Sequence, residues 1–273
     1  MHSKSRNLFL SNLNYRIVIY TFLLSGISGC ATGNKIIEQP EPFELNTPLG
    51  TWKGKTLNIS LDWIIVRDGP GAWATNAYWD QYIFHVENLS ETDVHISNVY
   101  IVDFLRQKVP VSNEIQPDRF RWLSKNIARR YRRENIPIQP GAGMDVVQTV
   151  AGSVFVAGTT LHVLGTIASG MPIIGGGAPL VAGAALPVLI APVLMESYTQ
   201  YQVYREMHEL HETLPIHIEP FQGKRFNLFF PISPAPQKIV MEFTTSNKRK
   251  KRIELNTTKS LAGLHLQKTN SKE

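Results

Sequence analysis

The chain has 273 residues, long enough to bury a full core either as one domain with an insertion or as two smaller domains. It carries 28 Lys and Arg against 22 Asp and Glu, and its single cysteine excludes an intramolecular disulfide framework. Three of the basic residues and none of the acidic ones lie in the first 29 positions, so the remaining 244 residues have a net charge of only +3, which gives no ground for a nucleic-acid partner.

Those three cations, Lys4, Arg6 and Arg16, precede an apolar stretch from Ile17 to Ile27 that is too short to cross a bilayer comfortably. It ends in the small residues Ser28 and Gly29, directly before Cys30, as a cleavable export signal ends. Ile27, Ser28, Gly29 and Cys30 resemble the lipobox of bacterial lipoproteins, a branched aliphatic residue followed by two small ones and a cysteine. The resemblance covers only the leader, and Ile27 stands where Leu is commoner. It implies a diacylglyceryl group on the Cys30 thiol, cleavage before that residue and a further acyl chain, of the palmitate class, on the new amino terminus. Several chains on one residue would hold firmly, because each buried methylene contributes about 0.8 kcal/mol and one chain alone binds reversibly. In the family pattern Ala31, standing where an Asp would retain the protein at the inner membrane, favours the outer membrane, with the folded part facing the periplasm. On this reading residues 1–29 are a signal peptide outside the fold.

Residues 30–50 hold Pro40, Pro42 and Pro48 with little apolar periodicity and read as an extended, lipid-anchored tether. The stretch GTWKGKT at Gly50–Thr56 resembles a phosphate loop in composition, but its glycines bracket three residues instead of four and a strand follows. Leu57, Ile59, Leu61, Trp63 and Ile65 recur at period two, as do Tyr82, Phe84 and Val86, and a third strand spans Val94 to Leu105. The apolar phase of that third strand slips near Ser97 and Asn98, which predicts a bulge. Residues 51–111 thus read as the first half of a β-sandwich.

Residues 112–212 read as a helical insertion. Its first helix carries Asp118 as a candidate cap, an apolar stripe of Phe120, Leu123, Ile127 and Tyr131, and a basic remainder that includes Arg129, Arg130, Arg132 and Arg133. Such a helix suits either an anionic membrane surface, where those four arginines would meet headgroups, or a solvated exterior. From Val146 to Met195 there follow 50 residues without a formal charge, with eight Gly and eight Ala. A bilayer crossing needs about 20 apolar residues, so this run has the length of a helical hairpin turning at Gly175–Gly177. Ser153 with Ala157, and Gly165 with Ser169, are spaced four apart and predict close packing of the arms, while Tyr198, Tyr201 and Tyr204 stand where an interfacial aromatic belt would lie. The other reading is a Gly/Ala-rich hairpin packed in water on the sandwich, its second arm interrupted by Pro187 and Pro192.

Period two returns at Leu214, Ile216 and Ile218, then at Phe226–Phe230, Ile239–Phe243 and Ile253–Leu255, so residues 213–273 read as the second half of the sandwich and a C-terminal tail. The expected fold is mainly β with an α insertion: an immunoglobulin-like antiparallel β-sandwich interrupted by a Gly/Ala-rich helical hairpin. The basic run Lys248–Arg252 reads as a charged hairpin tip, and His208 with His211 as a solvated helix end. His85, His95 and His217 fall in strands with no assigned role. No catalytic constellation, metal set or cofactor motif emerges. The expected role is therefore non-enzymatic, a membrane-anchored envelope lipoprotein whose partners are lipid and either like copies or another envelope protein. A periplasmic module that binds a protein or ligand, with a structural hairpin, is the alternative.

Overall fold

The computed structural model describes residues 33–38, 40, 47–151, 185–246 and 249–267. The expected signal peptide, Cys30 and the hairpin-packing positions Ser153, Ala157, Gly165 and Ser169 lie outside the described residues, as does the Gly175–Gly177 turn.

Within the described residues the protein is mainly β, with two antiparallel sheets and three helices. In chain order these are β1 (Gly50–Lys53), β2 (Leu57–Ile65), β3 (Trp79–Asn88), β4 (Val94–Val102), β5 (Lys108–Pro110), α1 (Pro117–Arg133), α2 (Met144–Ala151), α3 (Ala185–Leu210), β6 (Ile216–Ile218), β7 (Gly223–Pro231), β8 (Lys238–Thr245) and β9 (Lys250–Asn256). One sheet runs β1-β2-β3-β7; the other runs β5-β4-β8-β9, with β6 also paired to β4. Each sheet therefore joins strands from before and after the helices, as the two separated strand groups in the sequence require.

Period-two patterning places the strands, and two bulges correct its phase. In β4 the register slips between Ile96 and Asn98, so Ser97 is the extra residue and Val99 and Ile101 return to the core after Val94 and Ile96. This is where the sequence predicts the slip. In β2 a second slip falls at Asp62, because Leu61 pairs with Phe84 and Trp63 with Ile83. Beyond it Trp63 and Ile64 are both buried and Ile65 only partly, so the strict alternation expected through Ile65 ends at Asp62. The bulged carboxylate accepts hydrogen bonds from Ser60 Oγ at 2.6 Å and from Arg225 Nε at 3.1 Å, and the guanidinium pairs with it.

A single hydrophobic cluster takes side chains from both sheets, Trp63, Phe84 and Phe230 from one and Ile96, Met241 and Phe243 from the other. Each large side chain removed from water contributes on the order of 1.5–3 kcal/mol. Helix α1 adds Ile127 and Tyr131 to this cluster and places Phe120 in a second one, with Trp79, Phe229, and Val203 and Met207 of α3. The predicted stripe is thus the buried face, except that Ser124 lies within it and Leu123 at its edge. Ser124 Oγ donates to Tyr78 O at 2.6 Å and accepts from Ile232 N–H at 2.9 Å, so a polar residue there is fully used. Asp118 does not cap the helix: Gln116 occupies that position without a side-chain hydrogen bond, Pro117 begins the first turn, and Asp118 lies within that turn, where the helix dipole favours an acid.

Two further differences concern the insertion and the tether. Helix α3 runs through Pro187, in its first turn where no intrahelical N–H bond is due, and through Pro192, so neither proline ends the helix. The segment expected to be a free tether is pinned in part. Thr75 N–H donates to Lys35 O and Ile37 N–H to Trp73 O, both at 2.8 Å, and Ile36 packs on the second cluster. The β-branched pair Ile36 and Ile37, just ahead of the prolines, has the backbone pairing and apolar surface to dock.

Candidate functional site

Helix α1 and its surroundings are the first candidate surface. Arg129, Arg132 and Arg133 are exposed, whereas Arg130 is half-buried and acts electrostatically on Asp103. Burial pushes the Asp103 carboxyl up, and Gln107 N–H, donating at 2.8 Å, opposes this together with Arg130. Of the four arginines predicted as one headgroup-facing set, three are therefore exposed and Arg130 is half-buried. Arg129 Nη2 donates to Asn126 Oδ1 at 2.7 Å, and Arg132 lines a cavity of about 330 Å³ with Ile136 and Ile138. Trp122, 62 % exposed, lies opposite the buried stripe, and Arg121 beside it stacks over the Tyr78 ring at 5.6 Å. On α3, Tyr198 and Tyr201 are exposed while Val203 and Met207 pack inward. Among the described residues no helix is long and apolar enough to cross a membrane.

The histidines separate into three situations. His95 and His217 are opposed across β4 and β6, their rings stacked at 4.8 Å and 17°, with Asp93 Oδ1 3.2 Å from His217 Nε2. His85 sits on β3 in the other sheet and does not join them. Among the described residues no group of three side chains could hold a metal ion.

His208 and His211 differ although they are three residues apart. His208 is exposed against the Tyr204 ring at 5.3 Å, as a solvated helix end should be. His211 is folded under, with both ring nitrogens buried and unpartnered among the described residues, and burial, followed by repulsion from His208, lowers its pKa to about 4 against the opposing pull of Glu212. The folded value lies below the ordinary value of about 6.5, so the unfolded chain takes up this proton first. His211 accordingly contributes stability that is complete above pH ~6.5 and is lost as the pH falls towards 4. Urea midpoints measured from pH 7 to pH 4 should fall in wild type and fall less in His211→Phe; an equal fall in both would assign the pH dependence to other groups.

Deepest of all is a pair that the sequence does not suggest. His265 Nε2 lies 2.9 Å from Asp80 Oδ2, and both side chains are fully buried. Gly141 N–H donates to His265 Nδ1 at 2.9 Å, which makes Nδ1 the acceptor and leaves the proton on Nε2, donated to Asp80. The backbone completes the junction, with His265 N–H donating to Ala142 O at 2.7 Å and Gln139 N–H to His265 O at 3.0 Å. Gly143 adopts φ +80 there, and a Cβ on it would meet the carbonyl oxygen of Gly263. Both ring nitrogens are committed and no surface is exposed, so this pair clasps the C-terminal segment to β3 and to the α1–α2 loop instead of serving as a general base.

Compared with protein-family models, curated proteins and solved structures, the chain matches none.

Proposed function

We propose that the protein is a non-enzymatic lipoprotein of the bacterial envelope, anchored by acyl chains on Cys30 in the outer membrane and facing the periplasm. The leader carries this reading: a basic start, a short apolar stretch, and Ile27-Ser28-Gly29-Cys30 at its end. In this proposal the two sheets pack as an immunoglobulin-like sandwich, for which the shared apolar cluster is the support. The uncharged run Val146–Met195 forms a Gly/Ala-rich helical hairpin that enters the bilayer or assembles with like hairpins; its support is its length without charge and the helical ends it shares with α2 and α3. The exposed arginines and Trp122 of α1 supply headgroup contact.

Intact mass spectrometry of the membrane-extracted protein tests the anchor. The expected product begins at Cys30 and carries the mass of its acyl chains; an uncleaved leader or an unmodified thiol would remove the proposal. A periplasmic binding module is the second reading, and the cationic cleft described next favours it. Cys30→Ser discriminates between them, because a binding module should move to the soluble fraction while a hairpin-inserted protein should still sediment with membranes.

A further inference from the structure

Tyr100 and Val102 of β4 point away from the main core, whose side of the strand is taken by Val99 and Ile101, and with Val240 they form a small separate apolar cluster. Beside this cluster Arg106, Lys108, Lys238, Arg252, Glu254 and Asn256 line an open cleft of about 740 Å³, within the size range of small-molecule sites. Glu254 pairs with Lys238 Nζ at 2.7 Å and with Arg252, leaving the five charged groups with an excess of three positive charges. Among the described residues Arg106 and Lys108 have no carboxylate partner. Lys108 Nζ and the Arg252 guanidinium are held over the Tyr100 ring, at 5.1 and 5.9 Å, and the Tyr100 hydroxyl is buried without a partner among the described residues.

Arg106 adds an independent observation. It adopts φ +60 in the turn between β4 and β5, where Arg106 N–H donates to Asp103 O at 2.9 Å and Gln107 N–H to the Asp103 carboxylate. That conformation suits glycine, and the turn holds the Arg106 side chain at the rim of the cleft in it. We infer that the cleft binds a ligand bearing two or more phosphate groups, clasped between the unpaired cations Arg106 and Lys108 and the Glu254-linked pair Lys238 and Arg252. Arginine meets phosphate with a planar fork and lysine with a compact charge, and the cleft supplies both. The phosphates belong either to a small soluble molecule or to a lipid headgroup. The inference does not use Cys30, so its failure would leave the lipoprotein reading standing, and the reverse also holds.

The test uses full-length protein purified in detergent, titrated calorimetrically with inorganic pyrophosphate. A second arm uses protein reconstituted with phosphatidylcholine vesicles, with and without cardiolipin, whose headgroup carries two phosphates. Arg106→Gly is the informative variant, since it removes the cation while relieving the backbone; its melting temperature should be unchanged or higher than that of wild type. Arg106→Gly combined with Lys108→Ala should weaken binding by about tenfold or more, and rising salt should weaken the wild type as well. Loss in the pyrophosphate arm identifies a soluble ligand, and loss confined to the cardiolipin arm identifies a headgroup. No saturable binding in either arm, or equal binding by wild type and the double variant in both, overturns the inference.

Discussion

His265→Ala is expected to lower the unfolding free energy by about 1–3 kcal/mol or more, the cost of leaving a buried hydrogen-bond partner unsatisfied, which is larger when that partner is a carboxylate. The loss exceeds that of a surface ion pair because Asp80 is fully buried and its Oδ1 has no other partner among the described residues. Gly141 N–H would lose its acceptor in the same step. Asp80→Asn separates charge from shape: the amide oxygen still accepts from Nε2–H while the carboxylate charge is gone, so its cost should be distinctly smaller. Urea denaturation of wild type and both variants measures this. Equal losses would show that the charge, and not the donor–acceptor geometry, holds the junction; no loss in His265→Ala would show that the pair does not hold the C-terminal segment in place.

Converting Arg129, Arg132 and Arg133 to glutamate should reduce binding to phosphatidylglycerol vesicles by on the order of a hundredfold or more. Each basic residue near an anionic bilayer contributes about 1 kcal/mol, so three lost cations remove about 3 kcal/mol before any repulsion by the new acids. Arg130 is left in place because it is half-buried and acts on Asp103, so that its reversal would report on folding. Arg132 and Arg133 lie in the last turn of α1, where positive charge also favours the helix, by about 0.3–1 kcal/mol each. A triple glutamine variant with its melting temperature recorded alongside controls for that. Vesicle co-sedimentation in a Cys30→Ser background removes the contribution of the lipid anchor. Unchanged binding would leave α1 a solvated surface helix.

The strands were legible wherever one face is apolar and the other is not. Tyr82, Phe84 and Val86 announce β3, and the slip near Ser97 shows because polar residues mark the phase on both sides of it. The bulge at Asp62 was hidden, since Trp63, Ile64 and Ile65 are all apolar and a change of phase among them leaves no trace. β1 and β5 span four and three residues, too few for a periodicity. The side-chain constellations were less legible still. His95 meets His217 only through the register of β4 on β6, and Asp80 meets His265 across 185 positions with no local pattern at either end. Arg106 was invisible for another reason: its left-handed backbone is set by the turn around it, and nothing in the arginine itself announces that conformation.

The interleaving of early and late strands fixes an order of events in time. β3 finds its outer neighbour β7 only across the interval from Glu87 to Gly223, and β4 waits likewise for β6 and β8. Lengthening such a loop adds little to its thermodynamic cost, about 0.6 kcal/mol per doubling, but distant pairings are slow to form. The first sheet is not whole until Pro231, and the second not until Asn256, has left the ribosome. A nascent chain of this kind stays threadable to the last, and it needs shelter from proteolysis and from mispaired neighbours for as long as synthesis continues.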